Sequence, residues 1–215
     1  MLSSFISKFS AKASESNKIT TAVIDKAQIL EAVKFARDEM KFELLSDIAC
    51  VDNLNLNKSK RFSLYYIFSS LKGSNFIIQV DLDESESIAS VSQIYKSANW
   101  AERECYDQYG VKFANHPNLR RILNHKDFIG HPLRKDYPID KYQILTQSDS
   151  LVDEMRDQLL SLGLASEEND EFKIKYTFLN IGPSHPATHG TIRNFMALDG
   201  EKIAACVTEI GYLHR

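Results

Sequence analysis

Arg61–Leu71 reads RFSLYYIFSSL, Gly73 and Ser74 follow, and Asn75–Leu82 reads NFIIQVDL. Both runs are rich in aromatic and branched residues and are separated by turn-forming ones, which is the pattern of two strands joined as a hairpin. Upstream, between Ala27 and Met40, the residues Ile29, Leu30, Val33, Phe35, Ala36 and Met40 fall mostly on one side of a 3.6-residue wheel. That spacing predicts a helix packed on the sheet the hairpin begins. A helix laid on a sheet is an α+β fold.

Downstream, the acidic stretch Asp83–Ser87 reads as a solvated loop, Ser90–Tyr95 as a short helix, and Ala98–Tyr109 as a longer one. Ser97 or Asn99 is placed to cap that helix, and Gly110 to end it in a left-handed conformation. Charged and aromatic residues alternate around it, so it is expected to touch protein on most sides. Beyond Gly110, His116-Pro117, His131-Pro132 and Tyr137-Pro138 favour extended backbone and forbid regular helix, predicting an ordered wrapping segment or a long loop. Ser150–Leu164 is helical in pattern, with Leu151, Met155, Gln158, Leu159 and Leu162 in register, and an acidic SEENDE stretch follows as a domain boundary. Lys173–Asn180 and Thr191–Leu198 read as strands on either side of IGPSHPATHG, and Asp199-Gly200 predicts a hairpin turn before Ile203–Val207. A meander this small is expected to lack a covering layer.

Bulk properties exclude several classes. A length of 215 residues, 43% of them hydrophobic, suffices for one core and the start of a second. The net charge of −3, from 26 basic and 29 acidic residues, offers no polycationic face for nucleic acid or anionic lipid. Cys50, Cys105 and Cys206 lie far apart without a CxxC pair, so neither a disulfide framework nor a cysteine-held metal or iron-sulfur cluster is legible. With a mean hydropathy of −0.30 and no apolar run near the ~20 residues that cross a bilayer, no spanning segment is expected. The opening MLSSFISKFSAKAS places Leu2, Phe5, Ile6 and Phe9 at helical spacing. It loosely resembles a mitochondrial presequence but has no arginine, and it reads as a docked or frayed amphipathic helix.

Three blocks resemble one known family. ANWAERECYDQYGVKFANHPNLRRIL (Ala98–Leu123), with HPLRKDYP (His131–Pro138), resembles the signature of the C-type subunit of the respiratory NADH:quinone oxidoreductase, complex I. FLNIGPSHPATHGTIRNFMALDGE (Phe178–Glu201) is similar to the start of the D-type subunit, the quinone-binding relative of the nickel-iron hydrogenase large subunit, and EIGYLHR at the C-terminus is similar to a later stretch of that same D-type protein. The order resembles the C/D fusion of bacteria. The resemblance implies a two-layer α+β domain with a mixed sheet over residues 1–142, a helical linker over 143–172, and the first strands of a hydrogenase-large-subunit-like domain over 173–215. It also implies a place at the cytoplasmic face of the inner membrane as a peripheral component, beside the cluster-bearing B-type and I-type subunits and the H-type subunit of the membrane arm. No cofactor is expected on this chain; NADH, FMN and the iron-sulfur clusters belong to partner subunits, and quinone is the substrate.

The residues carry their own chemical case. His185 and His189 form H-x-x-x-H, which on a helix would put two imidazoles on one face for a metal. Pro186, Gly182 and Gly190 argue for a loop instead, and no third ligand is near. In the family this loop enters the quinone headgroup pocket, which makes His189 the residue expected beside a quinone carbonyl and His185 the one expected to hold the loop. Imidazole donates near neutral pH to an oxygen that gains negative charge, which suits that role. Glu102, Arg103 and Glu104 are expected to pair charges and orient their helix against partners, with the guanidinium lowering both carboxyl pKa values. Arg120, Arg121, His131, Arg134 and Lys135, together with His116, form a basic stretch without the glycine-rich loop of a phosphate cradle, and read as a subunit interface. Two other classes stay open on these residues: the fused large subunit of a membrane-bound nickel-iron hydrogenase, and a non-catalytic assembly or interaction protein.

Overall fold

A computed structural model of the chain describes residues 2–141, 143, 150–165 and 175–212. Two compact units emerge, Met1–Ile122 with Gly130–Lys141, and Leu123–Ile129 with Tyr142–Arg215.

The first unit is built around the 61–82 hairpin. Its strands β4 (Phe62–Ser69) and β5 (Asn75–Leu82) are the middle of a five-stranded sheet ordered β1-β2-β5-β4-β3, with β1 at Lys12–Ser16, β2 at Ile19–Ile24 and β3 at Leu44–Asp52. Only the β2–β5 pairing is parallel, so the sheet is mixed as expected. Side chains alternate along a strand, and the register aligns Leu64 with Val80, Tyr66 with Ile78 and Phe68 with Phe76, putting a continuous apolar stripe on one face. Those six residues are at most 2% exposed. Helices α1 (Leu2–Phe9) and α2 (Ile29–Asp38) cover that stripe, through Phe5 and Phe9 on the first and Ile29, Ala32, Val33 and Ala36 on the second. The ring of Phe5 meets that of Phe76 edge-on at 5.1 Å. The opening segment is thus a docked helix, and burial of each such phenylalanine is worth roughly 1.5–3 kcal/mol.

Helix α3 (Ala98–Tyr109) lies against β3, following the short strand β6 (Ser87–Ala89) and preceding its parallel partner β7 (Lys112–Ala114). Its limits are those read from the sequence, and Gly110 ends it at φ 79°. Two local expectations are corrected. Ser97 occupies the cap position but donates its hydroxyl to Leu45 O at 2.9 Å instead of capping its own helix. Ser90–Tyr95 forms turns in place of a helix, because the Ser90 and Ser92 hydroxyls bond one another at 2.8 Å and Glu102 claims both Ser90 Oγ and the Val91 amide.

In the second unit, β8 (Thr177–Ile181), β9 (Arg193–Asp199) and β10 (Lys202–Glu209) make an antiparallel sheet ordered β10-β9-β8. Lys202 pairs with Asp199 around Gly200, the turn that Asp199-Gly200 predicts. The sheet does not lack a cover, which corrects that expectation. Helix α4 (Ser150–Ser161) packs on β9 and β10, burying Met155 and Leu159 with Tyr176, Ala197 and Ala205. Leu162 lies past the helix end and is exposed. The SEENDE boundary falls outside the described residues. Within the segment expected to be a linker, α4 is built into this unit's core. No helix among the described residues is long and apolar enough to cross a membrane.

Candidate functional site

A helix leaves its last four carbonyls without intrahelical partners. On α3 each of them is met. Tyr106 O accepts the Gly110 amide at 2.8 Å, Asp107 O accepts Arg121 Nη1 at 3.2 Å and His131 Nδ1 at 3.0 Å, Gln108 O accepts the Leu133 amide at 3.1 Å, and Tyr109 O accepts Arg134 Nε at 2.6 Å. Three cationic or imidazole groups at the negative end of a helix dipole are also favourably placed electrostatically. Gly110 is required twice here. A Cβ at this left-handed residue would stand 2.6 Å from His131 Nε2 and 2.7 Å from Arg134 Nη2.

The hub of this arrangement is Asp107, which the sequence reading passed over. It is fully buried, its Oδ1 accepts Arg121 Nη1 at 2.6 Å, and its Oδ2 accepts the Ile122 amide at 3.0 Å. Arg121 also donates to Gly130 O at 2.8 Å. A second unread acid, Asp52 at the end of β3, accepts the amides of Leu54 at 3.0 Å and Lys135 at 2.8 Å and Arg61 Nη2 at 3.0 Å. These hydrogen bonds and Arg61 hold its carboxyl below the usual range although burial opposes them. The signal available in the sequence was an acid near a helix C-terminus followed by an arginine-rich tract.

The E-R-E ion pairing is not formed. Arg103 donates to the carbonyls of Arg120 at 3.0 Å and Arg121 at 2.7 Å, so it anchors the tract and not its neighbours' carboxylates. Glu102 points inward, is fully buried, and accepts Ser90 Oγ at 2.6 Å and the Val91 amide at 2.7 Å. Burial pushes its carboxyl up to about 7, against the lowering by those two bonds, which is opposite to the direction expected from a paired arginine. His131 is shifted the other way, its burial favouring the neutral ring that donates to Asp107 O. Of the other residues read as interface, Arg134 also pairs with Glu84 and stacks over Phe62 at 5.3 Å, whereas Glu104, Arg120 and Lys135 present exposed side chains.

The raised Glu102 carboxyl has a thermodynamic consequence. A folded pKa above the unfolded value means the folded state holds its proton more tightly, so the associated stability is fully present below about pH 4.5 and is lost as pH rises through about 7. The full swing is on the order of 3 kcal/mol at 1.36 kcal/mol per unit. Urea midpoints followed through the lone tryptophan, Trp100 on the same helix, are expected to fall between pH 5 and 8 more steeply for wild type than for Glu102→Gln. Parallel slopes would contradict the assignment.

In the second unit, residues 182–192 form the loop between β8 and β9. Ile181 pairs with Asn194 at its neck, and Gly182, at φ 96°, would place a Cβ 2.0 Å from Ile192 O. Only glycine permits this approach of two backbones. His185 organises the loop from within: its Nδ1 accepts the Ala187 amide at 3.1 Å, and its carbonyl accepts the Thr188 amide at 3.0 Å and the Thr188 hydroxyl at 2.9 Å. His189 is exposed and makes no hydrogen bond among the described residues. The H-x-x-x-H pair therefore sits on a turn and not on a helix face, and among the described residues no three His, Cys, Asp or Glu gather as a metal site.

A third grouping was not read from sequence. Glu209, at the end of β10, accepts His125 Nε2 at 2.8 Å and lies 3.3 Å from Arg193 Nη1, and the Tyr212 hydroxyl also bonds it. These contacts outweigh burial and hold its carboxyl below the usual range.

Comparison with known proteins agrees with this architecture. Residues 22–143 match the family described as respiratory-chain NADH dehydrogenase, 30 Kd subunit, and the chain belongs to that family. A solved trypsin-resistant fragment (1–134) of Nqo5 superposes with a TM-score of 0.51 at 27% identity, covering 55% of this chain and 96% of that one. The similarity continues past this region into fused proteins. The C/D subunit of NADH-quinone oxidoreductase from Bdellovibrio bacteriovorus is 40% identical over 94% of the chain, and those of Buchnera aphidicola from Cinara cedri and Baizongia pistaciae are 37% and 36% identical over 89%. The chain is thus of the fused C/D kind. It spans about a third of the length of these relatives, 35%, 36% and 34%.

Proposed function

We propose that this chain is a connecting and quinone-facing part of the peripheral arm of NADH:quinone oxidoreductase. In that role its first unit holds cluster-bearing B-type and I-type subunits and the H-type subunit of the membrane arm in place, on the cytoplasmic face of a bacterial inner membrane. Its second unit offers the His189 imidazole to a quinone carbonyl. NADH, FMN and the iron-sulfur clusters act on partner subunits, whose electron transfer to quinone is coupled to proton translocation. The wide separation of Cys50, Cys105 and Cys206 supports a chain without a cluster of its own.

The observation that carries the reading is the 182–192 loop. It is closed at the neck by Gly182, shaped internally by His185, and exposes His189 with no internal partner among the described residues. An imidazole so presented can donate to a ligand oxygen without first breaking a bond inside the protein. The first unit's exposed Trp100, Arg120 and Lys135 support a protein-facing surface. The test is His189→Ala in the full-length fused protein, read as the ratio of quinone-dependent to artificial-acceptor NADH oxidation. An unchanged ratio removes His189 from the quinone site.

A further inference from the structure

The loop that presents His189 is exposed over most of its length, so its position is set chiefly at the two strand ends that carry it. There a series of side chains crosses all three strands. Arg193, the first residue of β9 after the loop, donates Nε–H to Asn180 Oδ1 on β8 at 3.0 Å, so one guanidinium spans both sides of the neck. Its Nη1 faces Glu209 Oε2 on β10 at 3.3 Å. Glu209 is held from the far side by the Tyr212 hydroxyl and by His125 Nε2 at 2.8 Å. The Asp127 amide donates to His125 Nδ1 at 3.3 Å, which leaves Nε2 carrying the proton that Glu209 accepts.

The anchor of this series is itself fixed. His125 is 4% exposed and lies in the Leu123–Ile129 segment, which belongs to the same compact unit as the sheet. Gly211, at φ 108°, runs so close beneath that segment that a Cβ would meet His125 N at 2.2 Å and Asn124 C at 2.8 Å. The sheet end and the segment are therefore in direct backbone contact, and His125 cannot be displaced without opening that seam.

The geometry points to Glu209 and His125 as positioning residues for the His189 loop. They fix the Arg193 guanidinium, which ties Asn180 to β9 and so sets the spacing of the neck from which His189 projects. Its geometric part stands on the contacts alone; its consequence for turnover rests on the quinone reading of the loop. A displacement of about 1 Å of a reacting group costs on the order of a hundredfold when the group acts directly, so a loosened neck is felt at the tip.

The experiment has two arms, using Glu209→Gln, which keeps size and one acceptor oxygen but removes the negative charge that faces Arg193, and His125→Ala, which removes one donor and leaves the strands untouched. Hydrogen exchange on the 215-residue chain is expected to show neck amides (180–182 and 192–194) exchanging about tenfold faster in either variant, with amides at the far end of the β9–β10 hairpin (197–199 and 202–205) unchanged. Unchanged neck amides, or a uniform rise through the whole unit, would overturn the inference, the latter marking a merely structural role. In the full-length fused protein the same variants are expected to lower kcat for quinone reduction about tenfold with a smaller change in KM, and to leave artificial-acceptor activity intact. A loosened neck with wild-type quinone kinetics would overturn the positioning role. The quinone reading itself falls separately, on His189→Ala.

Discussion

His189→Ala is expected to lower quinone reduction by about ten- to a hundredfold while leaving the amount of assembled complex and its artificial-acceptor activity near wild type. The magnitude follows from where charge develops. A quinone oxygen becomes more negative as electrons arrive, so a hydrogen bond from imidazole strengthens toward the transition state, and a donor of that kind assists turnover more than binding. Removal of one such donor from a dry, preorganised site costs on the order of a hundredfold, and water access softens the loss toward tenfold. Assembly is expected to be spared because His189 is exposed and has no hydrogen-bond partner among the described residues. His185→Ala is expected to behave differently. Its ring accepts the Ala187 amide, so its loss relaxes the loop and lowers turnover less than removal of the donor itself.

Asp107→Ala is expected to cost the first unit about 3–5 kcal/mol, the usual cost of leaving one partner of a buried ion pair without the other. The groups that lose their carboxylate partner are the Arg121 guanidinium, 14% exposed at its side chain and still bonded to the carbonyls of residue 107 and Gly130, and the Ile122 amide. Since stabilities of whole domains are about 5–15 kcal/mol, this is a large share. Asp107→Asn retains an acceptor for Arg121 and is expected to lose less. Urea unfolding of the chain measures both, and a loss below about 1 kcal/mol for Asp107→Ala would show that the tract holds to α3 without it.

The parts of the fold legible in the sequence were those whose pattern is local and regular. The 61–82 hairpin announces itself through two runs of aromatic and branched residues around Gly73 and Ser74, and α3 through its spacing and Gly110. β1, KASES, was illegible because it is an exposed edge strand with no apolar face to alternate. β3 was obscured by the register shift between Leu45 and Asp47, which breaks the alternation that would have marked it. The stripe of α4 was visible in Met155 and Leu159, but its partners Ala197 and Ala205 lie some forty residues on, and a single stripe does not name the surface it covers.

The same limit governed the sites. The loop histidines were legible because glycine, proline and spacing all act within ten residues. The contacts that Arg103, Arg121, His131 and Arg134 make within their own domain were not legible behind the interface reading, because a basic run looks alike whether its charges face a partner or the end of its own domain's helix. What decided it was Asp107 and the unpaired carbonyls of α3, groups that become acceptors only once the chain has folded back. Glu102 shows the sign of the error most clearly: adjacency to Arg103 predicts a lowered carboxyl, but the side chain points into the core and burial raises it.

The central claim, that the 182–192 loop meets the quinone headgroup, is tested most directly by a photoreactive quinone analogue bound to the intact complex containing the full-length fused protein. Peptide mapping after illumination is expected to place label on residues 182–192, reduced by excess quinone and by His189→Ala. Label confined to other subunits, or label on the loop that excess quinone does not displace, would contradict the account.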